Sequence, residues 1–229
     1  MDLRDWFTTL PLLSQVNKYQ FYVPGYTEAL ALFSEVRVVM GEDWLSGVPS
    51  DLQQHFYKVK FPCYIVPIFV GENCYGFVLK GFSKTTPRFC TNSLLPGCEK
   101  LKGGETVVLV EGIKDCYIPM LACRGLPVVV IPMLTSIPSL GLLEFLRDVG
   151  CRVLYIPDSD EHINNHKARF FELCGKVNIK SDLYIAGFDE SGSVSKFKDY
   201  GDFFNPSLRT LVLSDTKRLR SYLQGLGGV

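Results

Sequence analysis

The chain has 229 residues, 47% hydrophobic and 21% charged, and its 24 cations balance its 24 anions. That length holds one large domain or two small ones around a sizeable core, and zero formal charge withholds the overall basic excess of a dedicated nucleic-acid binder. No apolar run approaches the roughly 18 residues of a membrane span, and residues 1–10 carry acids without a cationic leader, so a soluble, cytoplasmic protein with no membrane partner is expected.

Residues 1–56 form an N-terminal segment of unclear role, broken by Pro11, Pro24, Gly25 and Pro49, in which only 27–35 has a helical pattern. Residues 57–104 read as a small basic, mostly antiparallel subdomain. Ile68-Phe69-Val70 and Tyr75-Gly76-Phe77-Val78-Leu79 flank the turn Gly71-Glu72-Asn73, which predicts a strand pair whose register the turn fixes. Between 51 and 104 seven cations (Lys58, Lys60, Lys80, Lys84, Arg88, Lys100, Lys102) face three anions (Asp51, Glu72, Glu99). A basic part beside an acidic part suits a protein that handles polyanions.

After Gly103-Gly104 the texture becomes α/β: strands are predicted at 106–110, 128–132, 152–156 and 183–186, alternating with helices. Their near-continuous apolar character suits a parallel sheet covered on both faces. One helix spaces Leu142, Leu143, Leu146 and Val149 before a stop at Gly150; the next spaces Ile163, Lys167, Phe170 and Cys174 before Gly175. The module spans 105–205. Residues 206–229 read as an amphipathic C-terminal helix, capped by Ser214-Asp215 and carrying Lys217, Arg218 and Arg220 on its polar face.

The eight cysteines include no CxxC pair, so neither zinc nor a disulfide framework is expected, and buried reduced thiols suit a reducing compartment. His162 and His166, spaced i, i+4, are better explained as a solvated helix face than as metal ligands.

Chemistry is expected where strands end, since loops and helix N-termini converge at the carboxyl edge of an open α/β sheet. Glu111 directly follows 107–110, and Gly112 permits a tight turn. Asp158 and Asp160 follow 153–157 and share one face, while Asp199 and Asp202 follow the fourth strand. One such acid is a commonplace helix cap. Three sites at separate strand ends, including an Asp-x-Asp pair, point to a hard divalent cation, Mg²⁺ or Mn²⁺, and through it to phosphoryl transfer.

Val110-Glu111-Gly112-x-x-Asp115 followed by Asp158-x-Asp160 resembles the TOPRIM module of bacterial-type primases, topoisomerases and some nucleases. Leu134-Thr135-Ser136 and Lys198-Asp199-x-x-Asp202 are similar to the primase pattern. Upstream, Val66-Pro67-Ile68, Gly76-Phe77 with Lys80, Thr86-Pro87-Arg88-Phe89 and Asn92-Ser93 look like that family's basic subdomain. The resemblance covers about residues 57–205. It implies an α/β TOPRIM parallel-sheet module preceded by a small mixed α+β basic subdomain. It further implies Glu111, Asp158 and Asp160 as catalytic metal ligands, with Asp115, Asp199 and Asp202 supporting a second ion. Lys80, Lys84, Arg88 and Asn92 would then contact template or nucleotide phosphates.

The implied activity is synthesis of short RNA primers on single-stranded DNA from nucleoside triphosphates. The alternatives are a metal-dependent nuclease and a non-catalytic nucleic-acid-binding or regulatory module. No zinc ribbon precedes the core, no Walker-type loop is present, and the loop after Asp160 reads Glu161-His162-Ile163 where the family has small and basic residues. A separate helicase or zinc-ribbon protein is therefore expected as partner, and a phage or plasmid replication role by analogy.

Overall fold

The computed structural model describes residues 3–16, 22, 25–33, 35–48, 50, 53–56, 59–70, 72–80, 88–90, 94–160, 162–187 and 197–226, without the side chains of 45, 54, 55 and 88–90. The chain divides into two compact units, Met1–Glu99 and Lys100–Val229. Among the described residues, no helix is long and apolar enough to cross a membrane.

The first unit contains α1 (Leu3–Thr9), α2 (Tyr26–Leu30) and the strands β1 (Arg37–Val39), β2 (Cys63–Val70), β3 (Asn73–Lys80) and β4 (Arg88–Cys90). These strands form one antiparallel sheet in the order β1-β2-β3-β4. The predicted hairpin is present, with Val70 opposite Asn73, and an irregularity between Ile68 and Phe69 shifts the register. Trp6, Phe7 and Leu10 bury themselves against Phe56, Ile65, Phe77 and Leu79. The Trp6 ring meets Phe56 edge-on at 5.7 Å and Phe7 meets Phe77 at 5.9 Å. Residues before 57 thus supply half of this unit's core as well as strand β1. The helix predicted over 27–35 is confined to α2, one turn followed by bends.

The second unit holds β5 (Thr106–Val110), α3 (Tyr117–Ala122), β6 (Val128–Pro132), α4 (Leu140–Asp148), β7 (Arg152–Ile156), α5 (Ile163–Val177), β8 (Ser181–Leu183) and α6 (Arg209–Leu226). All strand pairs are parallel, in the order β6-β5-β7-β8. All five residues of β5 are buried, as a central strand covered on both faces requires. The chain leaves β5 to one side for β6 and returns to the other for β7. The carboxyl end of β5 therefore lies at a topological switch point, where open sheets of this kind form their crevice.

Three predicted boundaries move. The fourth strand is Ser181–Leu183, ahead of the apolar 183–186 run, because pairing of Val153 with Ser181 fixes the edge strand's place. Helix α5 runs through Gly175 and stops at Asn178, whose left-handed φ of 55° ends it instead. Helix α6 begins at Arg209, a turn and a half before Ser214-Asp215; Asp215 is buried within it rather than capping it. Helix α6 packs on α3 and on a short 3-10 turn, Tyr200–Phe204.

Candidate metal centre

Glu111 leaves the end of β5 half-buried. Its Oε1 accepts the Asp158 N–H at 3.2 Å, tying the end of β5 to the chain just past β7. The backbone around it is pinned from the other side. Leu134, in the loop after β6, adopts a left-handed φ of 62° and donates its N–H to the Glu111 carbonyl at 2.8 Å. A non-glycine residue held there is strained, and such strain persists only where neighbours impose it. In the same loop, Ser136 accepts the Tyr155 hydroxyl at 2.6 Å.

Burial, then the charges of Asp158 and Asp160, pushes the Glu111 carboxyl up to about 7. An acid so displaced marks an excess of negative charge in a partly dry place. Lys198 answers part of it: its Nζ lies 2.8 Å from Asp158 Oδ2, and that hydrogen bond raises the lysine's own pKa. The Lys198 N–H also donates to Asp202 at 2.8 Å, and its carbonyl accepts the Ser159 N–H at 2.8 Å.

Asp115 and Asp199 form a second pair. Asp115 accepts the Gly112 N–H at 2.9 Å on one oxygen and the Gly201 N–H at 3.1 Å on the other. A Cβ on Gly112 would stand 2.7 Å from Asp115 Oδ2, and one on Gly201 would stand 2.6 Å from Asp115 Oδ1 and 2.8 Å from Asp199 Oδ1. Glycine at both positions is what admits the carboxylates. Burial first, then each other's charge or that of Asp158, raises both acids, Asp115 well above the usual carboxylate range. Their side chains hydrogen-bond each other, as two buried acids side by side do when the ionised form of both together is disfavoured. Asp199 also caps the Tyr200–Phe204 turn by accepting the Asp202 N–H at 3.1 Å.

Asp160 accepts the His162 N–H at 2.9 Å, a local role at the start of α5. His166, on the first turn of α5, is not on a solvated face as expected. Its Nδ1 is buried 3.9 Å from Glu111 Oε1 and, among the described residues, makes no hydrogen bond. Lys198 and His166 are the neighbours that sequence reasoning left without a role. The apolar Phe170 and Cys174, which share the helix face, were the available sign that His166 turns inward.

These acids supply hard oxygen donors in charge excess, which suits Mg²⁺ or Mn²⁺. Among the described residues, no three His, Cys, Asp or Glu side chains converge closely enough to hold one ion. Asp158 is engaged by Lys198 and Asp160 by the backbone of α5.

In the first unit, Lys80 is 4% exposed, its ammonium 4.3 Å from the Tyr26 ring centre, and burial lowers its pKa. A phosphate would reach it only by displacing its cover, so Lys80 is not an open rung of a basic track. Arg88 lies in β4 with its side chain outside the described atoms; Lys84 and Asn92 lie outside the described residues altogether. The described free cysteines are mostly buried.

No family model matches the sequence, and no curated protein does. Solved structures do match. The zinc-binding and RNA polymerase domains of the Aquifex aeolicus primase align over 99% of this chain and 67% of theirs, at 16% identity and TM-score 0.55. A DnaG primase catalytic domain bound to single-stranded DNA aligns over 98% of this chain and 87% of its own, at 15% identity and TM-score 0.51. A primase domain from Pseudomonas aeruginosa aligns over 91% and 88%, at 14% identity and TM-score 0.50. What these matches share with the chain is its architecture: it has the fold of a primase-type catalytic core, a parallel-sheet module preceded by a mixed α+β subdomain.

Proposed function

We propose that the chain is a primase-like nucleotidyltransferase that makes short RNA primers on single-stranded DNA. The observation carrying this reading is that Glu111 and Asp158 meet at the switch point of the sheet, Glu111 Oε1 accepting the Asp158 N–H at 3.2 Å, where burial and the charges of Asp158 and Asp160 push the Glu111 carboxyl up to about 7. The primase-type fold supports it.

When bound there, Mg²⁺ would neutralise the triphosphate and polarise the phosphorus under attack. Glu111 and Asp158 would hold it from adjacent strands, while Asp160 would join after releasing the His162 N–H. Asp115 and Asp199 would part from each other to support a second ion, with Asp202 beside them. Lys198, displaced from Asp158, would become available to the phosphates. Lys84, Arg88 and Asn92 would line the path of the template or nucleotide.

A non-catalytic binding module is the second reading, favoured by the Lys198–Asp158 pair and by the engagement of Asp160 with α5. A primer-synthesis assay with four ribonucleoside triphosphates and Mg²⁺, supplied with helicase and zinc-ribbon partners, separates the readings. Products that disappear in Glu111→Gln support the primase. Template degradation without nucleotide dependence would support a nuclease, and full biological activity in Glu111→Gln would support the binding module.

A further inference from the structure

Helix α6, packed on α3 and on the Tyr200–Phe204 turn, buries a carboxylate. Asp215 is 8% exposed, and its Oδ2 accepts the Tyr200 hydroxyl at 2.6 Å while its Oδ1 accepts the Tyr184 hydroxyl at 3.1 Å. Arg218, on the next turn, places Nε 3.5 Å from Asp215 Oδ1 and 3.0 Å from the Tyr184 oxygen, and donates to the Ile185 carbonyl at 3.0 Å.

Apolar side chains of similar volume would seal this interface without the cost of dehydrating a charge. What the carboxylate adds is a fixed position for two hydroxyls, since each phenol must meet one of its oxygens.

Of the two tyrosines, Tyr200 bears on the acids. It is 1% exposed and opens the Tyr200–Phe204 turn. The residue before it is Asp199, which hydrogen-bonds Asp115; the residue after it is Gly201, whose N–H donates to Asp115. A Cβ added at Gly201 would stand 2.6 Å from Asp115 Oδ1 and 2.8 Å from Asp199 Oδ1, so the turn lies close against both acids and its position bears on theirs.

We infer that Asp215 is a positioning residue: through the Tyr200 hydroxyl it sets the height of the turn that presents Asp199 and Gly201 to Asp115, and so tunes cation binding from helix α6. This inference rests on the reading of those acids as cation ligands. Tyr184 provides a comparison, because it hydrogen-bonds the same carboxylate from outside the turn and meets the turn at the Tyr200 hydroxyl, so that its loss leaves the Tyr200–Asp215 bond in place.

The test is Mn²⁺ binding to the full chain, followed by loss of the free-ion paramagnetic resonance signal, alongside metal-free melting of the same samples. In Tyr200→Phe and Asp215→Asn the binding midpoint should rise about three- to tenfold, at the low end of outer-shell effects on metal affinity. In Tyr184→Phe, which keeps the Tyr200–Asp215 bond, the midpoint should rise by less than about twofold, clearly less than in Tyr200→Phe, even where melting falls.

If all three variants melt lower but bind Mn²⁺ as wild type does, the role is structural only and the inference fails while the proposed cation site stands. If wild type itself binds no Mn²⁺ at millimolar concentration, the cation site fails and takes the inference with it. Should Asp215→Asn not fold, Tyr200→Phe, which removes one oxygen atom, decides the matter.

Discussion

Replacing Glu111 with glutamine keeps the shape and the acceptor oxygen that meets the Asp158 N–H, and removes the charge. The folded chain holds this carboxyl at about 7 against an ordinary 4.5, so its ionised form is disfavoured by folding. The stability it contributes is fully present below about pH 4.5 and is lost as pH rises through 7. The whole displacement corresponds to about 3 kcal/mol. Because 19% of the side chain remains exposed, a range of about 1–3 kcal/mol is appropriate.

Without divalent cation, Glu111→Gln should therefore melt higher than wild type at pH 8, by roughly 3–9 °C. The difference should shrink toward zero at pH 4.5. Saturating Mg²⁺ should shrink the difference at pH 8, and reverse it where the variant's advantage lies at the low end of that range, since wild type gains about 2.7 kcal/mol at a hundredfold excess over its dissociation constant and the variant gains less. Scanning calorimetry at both pH values, with and without Mg²⁺, reads all of this. A variant that melts at or below wild type at pH 8 without cation, or by a margin independent of pH, would refute the reasoning.

Lys198→Met removes the ammonium that occupies Asp158; with its side chain 52% exposed, the pair is a weak competitor, and Mn²⁺ should bind about two- to fivefold more tightly by titration. Weaker binding would mean that the lysine assists the site. Gly201→Ala drives a methyl to 2.6 Å from Asp115 Oδ1 and 2.8 Å from Asp199 Oδ1, so urea unfolding should show about 1–3 kcal/mol lost together with weaker Mn²⁺ binding. An unchanged variant would remove Gly201 from the account. Trp6→Ala should cost about 3–5 kcal/mol in urea unfolding, since Trp6 is 1% exposed among Phe7, Phe56 and Phe77; a loss below about 1 kcal/mol would mean that the N-terminal segment is dispensable to the first unit.

The centre of the second unit was legible because β5, β6 and β7 are runs of β-branched and aliphatic residues whose burial on both faces leaves no alternating pattern to misread. The edge was not. Ser181-Asp182-Leu183 is polar, and only pairing with β7 makes it a strand. Helix α1 was missed because its seven residues stop just short of Pro11, and Trp6 and Phe7 are too close together to display a helical period. Asp215 resembles a helix cap in sequence; that it is buried between two tyrosines depends on Tyr184 and Tyr200, which lie 31 and 15 residues away.

The acids themselves could be read from their places after strands. Their partnerships could not, since the Gly201 N–H that meets Asp115 is 86 residues along the chain. Nor could the burial of Lys80, a basic residue in a basic stretch, which Tyr26 from another element covers.

The central claim is that the carboxylates at the ends of β5 and β7 serve primer synthesis. Its most direct test is primer synthesis on single-stranded DNA with four ribonucleoside triphosphates and Mg²⁺, comparing wild type with Asp158→Ala plus Asp160→Ala. The account predicts short RNA products from wild type and none from the double variant. Undiminished products from the double variant, or none from wild type with its partners supplied, would contradict it.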